Sequence, residues 1–272
     1  MKALLIAIAA ASLLAGCATT EPEKKAGVEV LWLGQSAFRI TSPGGKVIVI
    51  DPWLIQNPTT PAQYKDLKNL GKVDVLLVTH GHLDHIADAP AIARMNDIRL
   101  YAPGDLNATL GALGVLPAQQ LPRFNKSGTV EPAPGIKVTA VSADHSSVYA
   151  FQNLATQKTE IHPGGEPVGY IVEMENGFRI WHMGDTGVFG DMKLIAELFK
   201  PDLLLLPIGD NFGMGPVHAA YATRELVKPR YAIPMHYGAN PIARGTPAQY
   251  LEALGQTSTR VFVMKPGEVV AF

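Results

Sequence analysis

Six consecutive residues, His80-Gly81-His82-Leu83-Asp84-His85, set three imidazoles and a carboxylate directly behind the apolar run Val73-Asp74-Val75-Leu76-Leu77-Val78. No other feature constrains the fold as strongly. Histidine is the commonest protein ligand of zinc and similar ions, and a carboxylate interleaved at this spacing lets one short loop serve two of them. Further polar residues also fall just behind apolar runs: Asp144-His145, His182 with Asp185, Asp210 and His236. If those runs are strands, their ends converge on one edge, where loops on a rigid scaffold concentrate catalytic groups.

From Val28 onward short β-branched runs alternate with turns and helical stretches, and no linker or low-complexity segment divides them. The expected strands are Val28–Leu33, Ala37–Ile40, Lys46–Ile50, Val73–Val78, Arg99–Tyr101, Ile136–Val141, Val168–Glu173, Phe178–Trp181, Leu203–Leu206, Tyr231–Ile233 and Val261–Met264. Helices are expected near Asp88–Met95, Asp105–Leu113, Asp191–Phe199, Ala219–Val227 and Thr246–Leu254. Two sheets flanked by helices would bury such runs. The stretch 146–167, with Tyr149, Phe151 and His162, reads as a long loop that either walls the pocket or lies on the surface.

Composition narrows the class. With 47% hydrophobic and 17% charged residues the chain can bury a sizeable core. A formal charge of −1 without a Lys/Arg cluster argues against a nucleic-acid surface. The N-terminus has its own pattern: Lys2, the apolar stretch Ala3 to Leu14, then Leu14-Ala15-Gly16-Cys17. This resembles a bacterial lipoprotein signal, and about a dozen apolar residues are too few to span a bilayer. The resemblance implies a signal peptide over 1–16, lipidation of Cys17, a tether over 17–27 and a catalytic body over 28–272. With Ala18 after the lipidated position, the implied location is periplasm-facing at the outer membrane, with the membrane touched only through the lipid. Cys17 is the only cysteine, so the body forms no internal disulfide.

The ordered set His80-x-His82-x-Asp84-His85, His145, Met183-Gly184-Asp185-Thr186-Gly187 and Pro234-Met235-His236-Tyr237-Gly238 resembles the metallo-β-lactamase superfamily. Val78-Thr79-His80, Pro207-Ile208-Gly209-Asp210-Asn211-Phe212 and Met214-Gly215-Pro216 are similar to its metal-dependent hydrolase branch, related to lactonase and phospholipase D-like members. The resemblance implies an α+β fold, a four-layered αβ/βα sandwich of two mixed sheets flanked by helices. It implies one metal on His80, His82 and His145 and a second on Asp84, His85 and His236. Asp185 would bridge the two ions, and Asp84 and Asp185 would be the carboxylates of the catalytic centre. Two such ions share a water, lower its pKa and stabilise the oxyanion formed after attack. Zinc suits the donors best, and manganese, iron, cobalt and nickel remain open. Asp51 and Asp210 are expected to orient ligand histidines. His182 and His162 are expected behind the ligands or at the surface, and His218 stands where the branch more usually has an acidic residue. Trp53, Tyr149, Phe212 and Tyr237 are candidates for contacting substrate.

The implied activity is hydrolysis of an ester-like bond, in a lactone, a carboxylic ester or a phosphodiester, of a small-molecule or lipid-like substrate. A lactamase with a zinc-binding cysteine is disfavoured because Asp185 stands where the thiol would be. A lipid-anchored metal-binding or scaffold protein with little turnover is the alternative from another class.

Overall fold

The computed structural model describes residues 27–272. The expected signal segment, Cys17 and the tether up to residue 26 lie outside the described residues. The first sheet begins with β1 (Glu29–Gly34), β2 (Ala37–Thr41), β3 (Val47–Ile50), β4 (Val75–Leu77), β5 (Leu100–Pro103) and β6 (Arg123–Phe124). A second opens with β7 (Thr129–Ala133) and β8 (Ile136–Ser142), and β9 (Val148–Asn153) with β10 (Lys158–Pro163) form a separate hairpin. The chain returns to the second sheet as β11 (Val168–Glu173), β12 (Arg179–His182), β13 (Leu203–Pro207), β14 (Tyr231–Met235) and β15 (Arg260–Val261). β16 (Val269–Ala271) then closes the first. Strand orders are β16-β1-β2-β3-β4-β5-β6 and β15-β14-β13-β12-β11-β8-β7.

Alternation along these strands creates the layers, because successive side chains point to opposite faces. Val30, Trp32, Ile48 and Ile50 meet Val138, Tyr170, Leu203 and Leu205 in a core between the sheets. Their neighbours Leu31, Leu33, Val47 and Val49 turn outward onto α2 (Ala89–Asn96) and α3 (Gly104–Ala112), reached after the single turn α1 (Leu83–Ile86). Leu204 and Leu206 likewise pack beneath α4 (Met192–Phe199), α5 (Pro216–Tyr221) and α6 (Pro247–Leu254). Both faces of each sheet are covered, so central strands are continuously apolar rather than alternating. Each fully buried aliphatic side chain contributes about 1.5–3 kcal/mol. The result is the expected α+β arrangement of two mixed sheets between helical layers. Among the described residues no helix is long and apolar enough to cross a membrane.

Strand direction positions the site. β1 and β3 are both antiparallel to β2, and β4 runs parallel to β3. In the second sheet β8 and β12 are both antiparallel to β11, and β13 and β14 continue parallel to β12. The C-terminal ends of β1, β3 and β4 therefore share one edge, as do those of β8, β12, β13 and β14. The Gln35 carbonyl accepts from the His236 N–H at 3.0 Å, and the Thr79 carbonyl accepts from the Val168 N–H at 3.1 Å, joining the two edges.

Three local differences stand out. The stretch 146–167 is mostly the β9–β10 hairpin, paired from Lys158 opposite Asn153 to Pro163 opposite Val148. The helix expected over Ala219–Val227 is α5 followed by wider π-type turns at Ala222–Val227. The strand expected over Val261–Met264 shrinks to β15, a two-residue edge.

Candidate metal centre

The turn directly beyond β4 carries three of the imidazoles. The strand ends at Leu77, Thr79 and His80 continue buried, and His82 caps α1, whose single turn carries Asp84 and His85. His145 follows β8, Asp185 follows β12 and His236 follows β14, with His236 in a left-handed backbone conformation (φ 57°). Gly184 matters here: at φ +64° a Cβ would sit 2.9 Å from the Val168 carbonyl and 3.0 Å from Thr79 Cβ. Only glycine lets the Asp185 loop press against the His80 loop in this conformation.

The donor atoms converge in two halves. His80 Nε2 lies 2.9 Å from His82 Nδ1, which lies 3.3 Å from His145 Nε2. On the other side Asp84 Oδ2 stands 3.4 Å from His236 Nε2 and 3.8 Å from His85 Nε2. Asp185 Oδ2 stands between the halves, 3.0 Å from His236 Nε2, 3.3 Å from His85 Nε2 and 3.7 Å from His145 Nε2. His80, His82 and His145 form one group able to hold an ion, and Asp84, His85 and His236 another; His80, His85 and Asp185 form a third across the middle.

The donors suit a cation. His85 Nε2 and Asp185 Oδ1 are buried without a hydrogen-bond partner, a costly state that a bound ion relieves. Burial first, then the charge of His85, drives the His80 pKa well below its ordinary value. Burial likewise lowers His82 and His145, so this half presents neutral imidazole nitrogens. In the other half burial opposes charge most strongly, yet Asp185 and Asp84 outweigh it and raise His236 to about 9 and His85 well above the ordinary range. Burial also opposes ionisation of the two carboxylates, and the facing imidazoles overcome it, holding both below the usual range. The chain without metal thus keeps ion pairs where an ion would replace protons.

Behind the donors, Asp51 is fully buried and accepts from the Thr79 N–H, the Thr79 hydroxyl and His85 Nδ1, each at 2.7 Å. A proton held on Nδ1 by Asp51 would leave the His85 Nε2 lone pair facing the centre once an ion displaces the proton from Nε2.

Comparison with known proteins decides the lineage. Residues 46–237 match the beta-lactamase superfamily domain. A UPF0173 metal-dependent hydrolase of Polaromonas sp. is 64% identical over 269 residues, spanning 99% of this chain and 98% of that protein. The chain belongs to the UPF0173 metal-dependent hydrolases. Another family member, from Rubrobacter xylanophilus, is 43% identical across 90% of this chain and 97% of its own length. Among solved structures, Igni18, a metallo hydrolase from the archaeon Ignicoccus hospitalis, superimposes with a TM-score of 0.75 at 32% identity, over 90% of this chain and 98% of that one.

In this UPF0173 hydrolase a cavity of about 300 Å³ opens onto His82, Asp84, His145, Asp185 and His236 and is walled by Gln35, Trp53, Leu83, Phe212 and Asn240. Trp53 and Phe212 thus stand where they can meet substrate. Tyr149 packs instead against the core beneath the first sheet. Tyr237 packs against Trp32 with ring centroids 5.2 Å apart in a tilted pair and donates to the Met264 carbonyl. No residue of the β9–β10 hairpin, His162 included, lines the cavity. His182 is buried, donating from Nε2 to the Ser36 carbonyl at 2.9 Å and accepting the Gly184 N–H on Nδ1 at 3.2 Å. It ties the Asp185 loop to the turn after β1.

Two expected residues lie elsewhere. Asp210 is exposed, and among the described residues no histidine bonds to it, because left-handed backbone at Asp210 and Asn211 (φ 64° and 61°) turns the loop outward. His218 is exposed on α5, away from the cavity. Gln35, Leu83 and Asn240 are additions that the sequence does not announce. Gln35 sits in a Gly34-Gln35 turn that reads as a reversal only, while Leu83 lies within the metal-ligand motif and is apolar.

Proposed function

We propose that this UPF0173 hydrolase is binuclear, with one ion on His80, His82 and His145 and a second on Asp84, His85 and His236, and Asp185 shared between them. The observation that supports it most is Asp185 Oδ2, within 3.7 Å of His145 on one side and 3.0 Å of His236 on the other. When bound, two divalent ions, zinc by donor type, supply an acidic water and Lewis-acid stabilisation of developing negative charge. The chain's own residues do the rest. Asp51 fixes the ring of His85, Gly184 lets Asp185 reach both halves, and the cavity walls orient the scissile group beside the centre.

Those walls favour a neutral acyl substrate, a carboxylic ester or lactone, over a phosphodiester. Trp53, Leu83 and Phe212 give apolar contact, with Leu83 56% and Phe212 42% exposed at the opening. Gln35 and Asn240 are uncharged, and among the described residues no lysine or arginine lines the cavity to meet a phosphate. Hydrolysis of a matched ester, lactone and phosphodiester by the metal-loaded protein, each with and without EDTA, tests this. EDTA-sensitive turnover of ester or lactone supports it, and preferential cleavage of the phosphodiester overturns it.

The lipobox pattern Leu14-Ala15-Gly16-Cys17 supports a periplasm-facing lipid anchor at Cys17 on the outer membrane, with the body held beside the membrane rather than in it.

A further inference from the structure

Gln35 has no place among the metal donors, yet it is built into the centre. It is 1% exposed and lines the cavity. Its Nε2 donates to Asp84 Oδ2 at 2.9 Å and stands 2.8 Å from His236 Nε2. Its carbonyl accepts from the His236 N–H and from Trp32 Nε1, both at 3.0 Å, so backbone and side chain alike are tied to the end of β14. Oε1 is buried without a partner. The residue adopts φ 51°, a left-handed conformation that is unfavourable for a residue with a Cβ. A glycine would make the same turn without that cost, so the side chain is what the position retains.

The chemistry of the contact is restrictive. A carboxamide nitrogen is a donor only, so Nε2 of Gln35 engages a lone pair of Asp84 Oδ2 that a metal ion would need. The same nitrogen stands against His236 Nε2, so one amide covers two of the three donor atoms of the Asp84–His85–His236 half. The His80–His82–His145 half has no such neighbour at its converging atoms: among the described residues His80 Nε2, His82 Nδ1 and His145 Nε2 face one another and Asp185, while His80 Nδ1 meets the Thr79 hydroxyl on the far side of the ring.

We propose that Gln35 is a positioning residue that caps the Asp84–His236 donors in the metal-free chain and must withdraw for the second ion to bind, so that the two halves load unequally. The proposal rests on the binuclear reading above. On withdrawal the amide turns into the cavity, where its carbonyl and N–H groups face the substrate space.

The test is stepwise loading of the chelator-stripped protein with Co2+, followed by calorimetry and by the visible bands of the bound ion. Wild type is expected to bind two ions, the second more weakly. Gln35→Gly removes the cap and suits the positive φ; Gln35→Asn tolerates the same backbone but falls one methylene short of both donors. In both variants the second ion should bind about tenfold more tightly, the scale of one lost hydrogen bond to a charged group. The first ion should change by less than about twofold. A second-ion affinity that stays constant or weakens in both variants overturns the proposal, with the binuclear reading intact. A wild-type chain that accepts only one ion overturns the binuclear reading itself.

Discussion

Exchanging Asp51 for asparagine isolates what a single buried carboxylate does for the centre. Asp51 is fully buried and its three hydrogen bonds are all 2.7 Å long. The substituted asparagine would keep the volume and could still accept from the Thr79 N–H through its carbonyl oxygen. Its amide nitrogen would then face His85 Nδ1 as a donor. That reverses the ring: Nδ1 becomes the acceptor, the proton moves to Nε2, and the atom facing the metal loses its lone pair. Removing an orienting partner of this kind costs about 10–100-fold in metal affinity, or about 1.4–2.7 kcal/mol. The loss should fall on the Asp84–His85–His236 half alone, leaving the ion on His80, His82 and His145 as an internal control. Calorimetric loading of metal-free wild type and Asp51→Asn, with circular dichroism to verify the fold, measures both constants. Equal loss at both ions, or none at the second, would refute the tautomer reasoning.

Other outcomes follow from the same geometry. Asp185→Ala should remove the shared ligand, lowering turnover by about a thousandfold or more while far-ultraviolet circular dichroism stays unchanged; full metal content with full turnover would contradict the shared role. Because His236 is raised to about 9 and His85 well above its ordinary value, second-ion loading near neutral pH should release protons. Apparent affinity should therefore rise with pH, by up to about tenfold per unit for each proton displaced, with the share due to His236 levelling off above about 9. Calorimetry in buffers of different ionisation enthalpy measures the release. Phe212→Ser should raise KM for an ester with an apolar chain several-fold and leave a short-chain ester nearly unaffected, as steady-state kinetics would show. Cys17→Ser should move the protein from the membrane to the soluble fraction with specific activity intact, a result read by fractionation.

Much of this is legible in the sequence. The runs ending at Leu77, Ser142, His182 and Met235 carry their ligands shortly beyond them, and parallel strands deliver such ends to one edge. His80, His82, Asp84, His85, His145, Asp185 and His236 are brought together, as the family resemblance implies. Residues whose role depends on pairing between distant segments are harder to see. Gln35 joins the centre because the end of β1 meets the end of β14, 201 positions away, and nothing local to Gly34-Gln35 signals it. Asp210 follows its strand much as the donors follow theirs, yet backbone torsions at two residues turn it outward. The β9–β10 hairpin is hidden because its alternating residues are half-buried or exposed on both strands, giving no continuous apolar run.

The most direct measurement is the rate of ester or lactone hydrolysis as metal-free protein is reloaded with zinc, plotted against bound ions per chain by elemental analysis. Turnover that is negligible at the first equivalent and rises with the second is the expected result. Full activity at one ion, or two bound ions with no hydrolysis of ester, lactone or phosphodiester, would contradict the binuclear account.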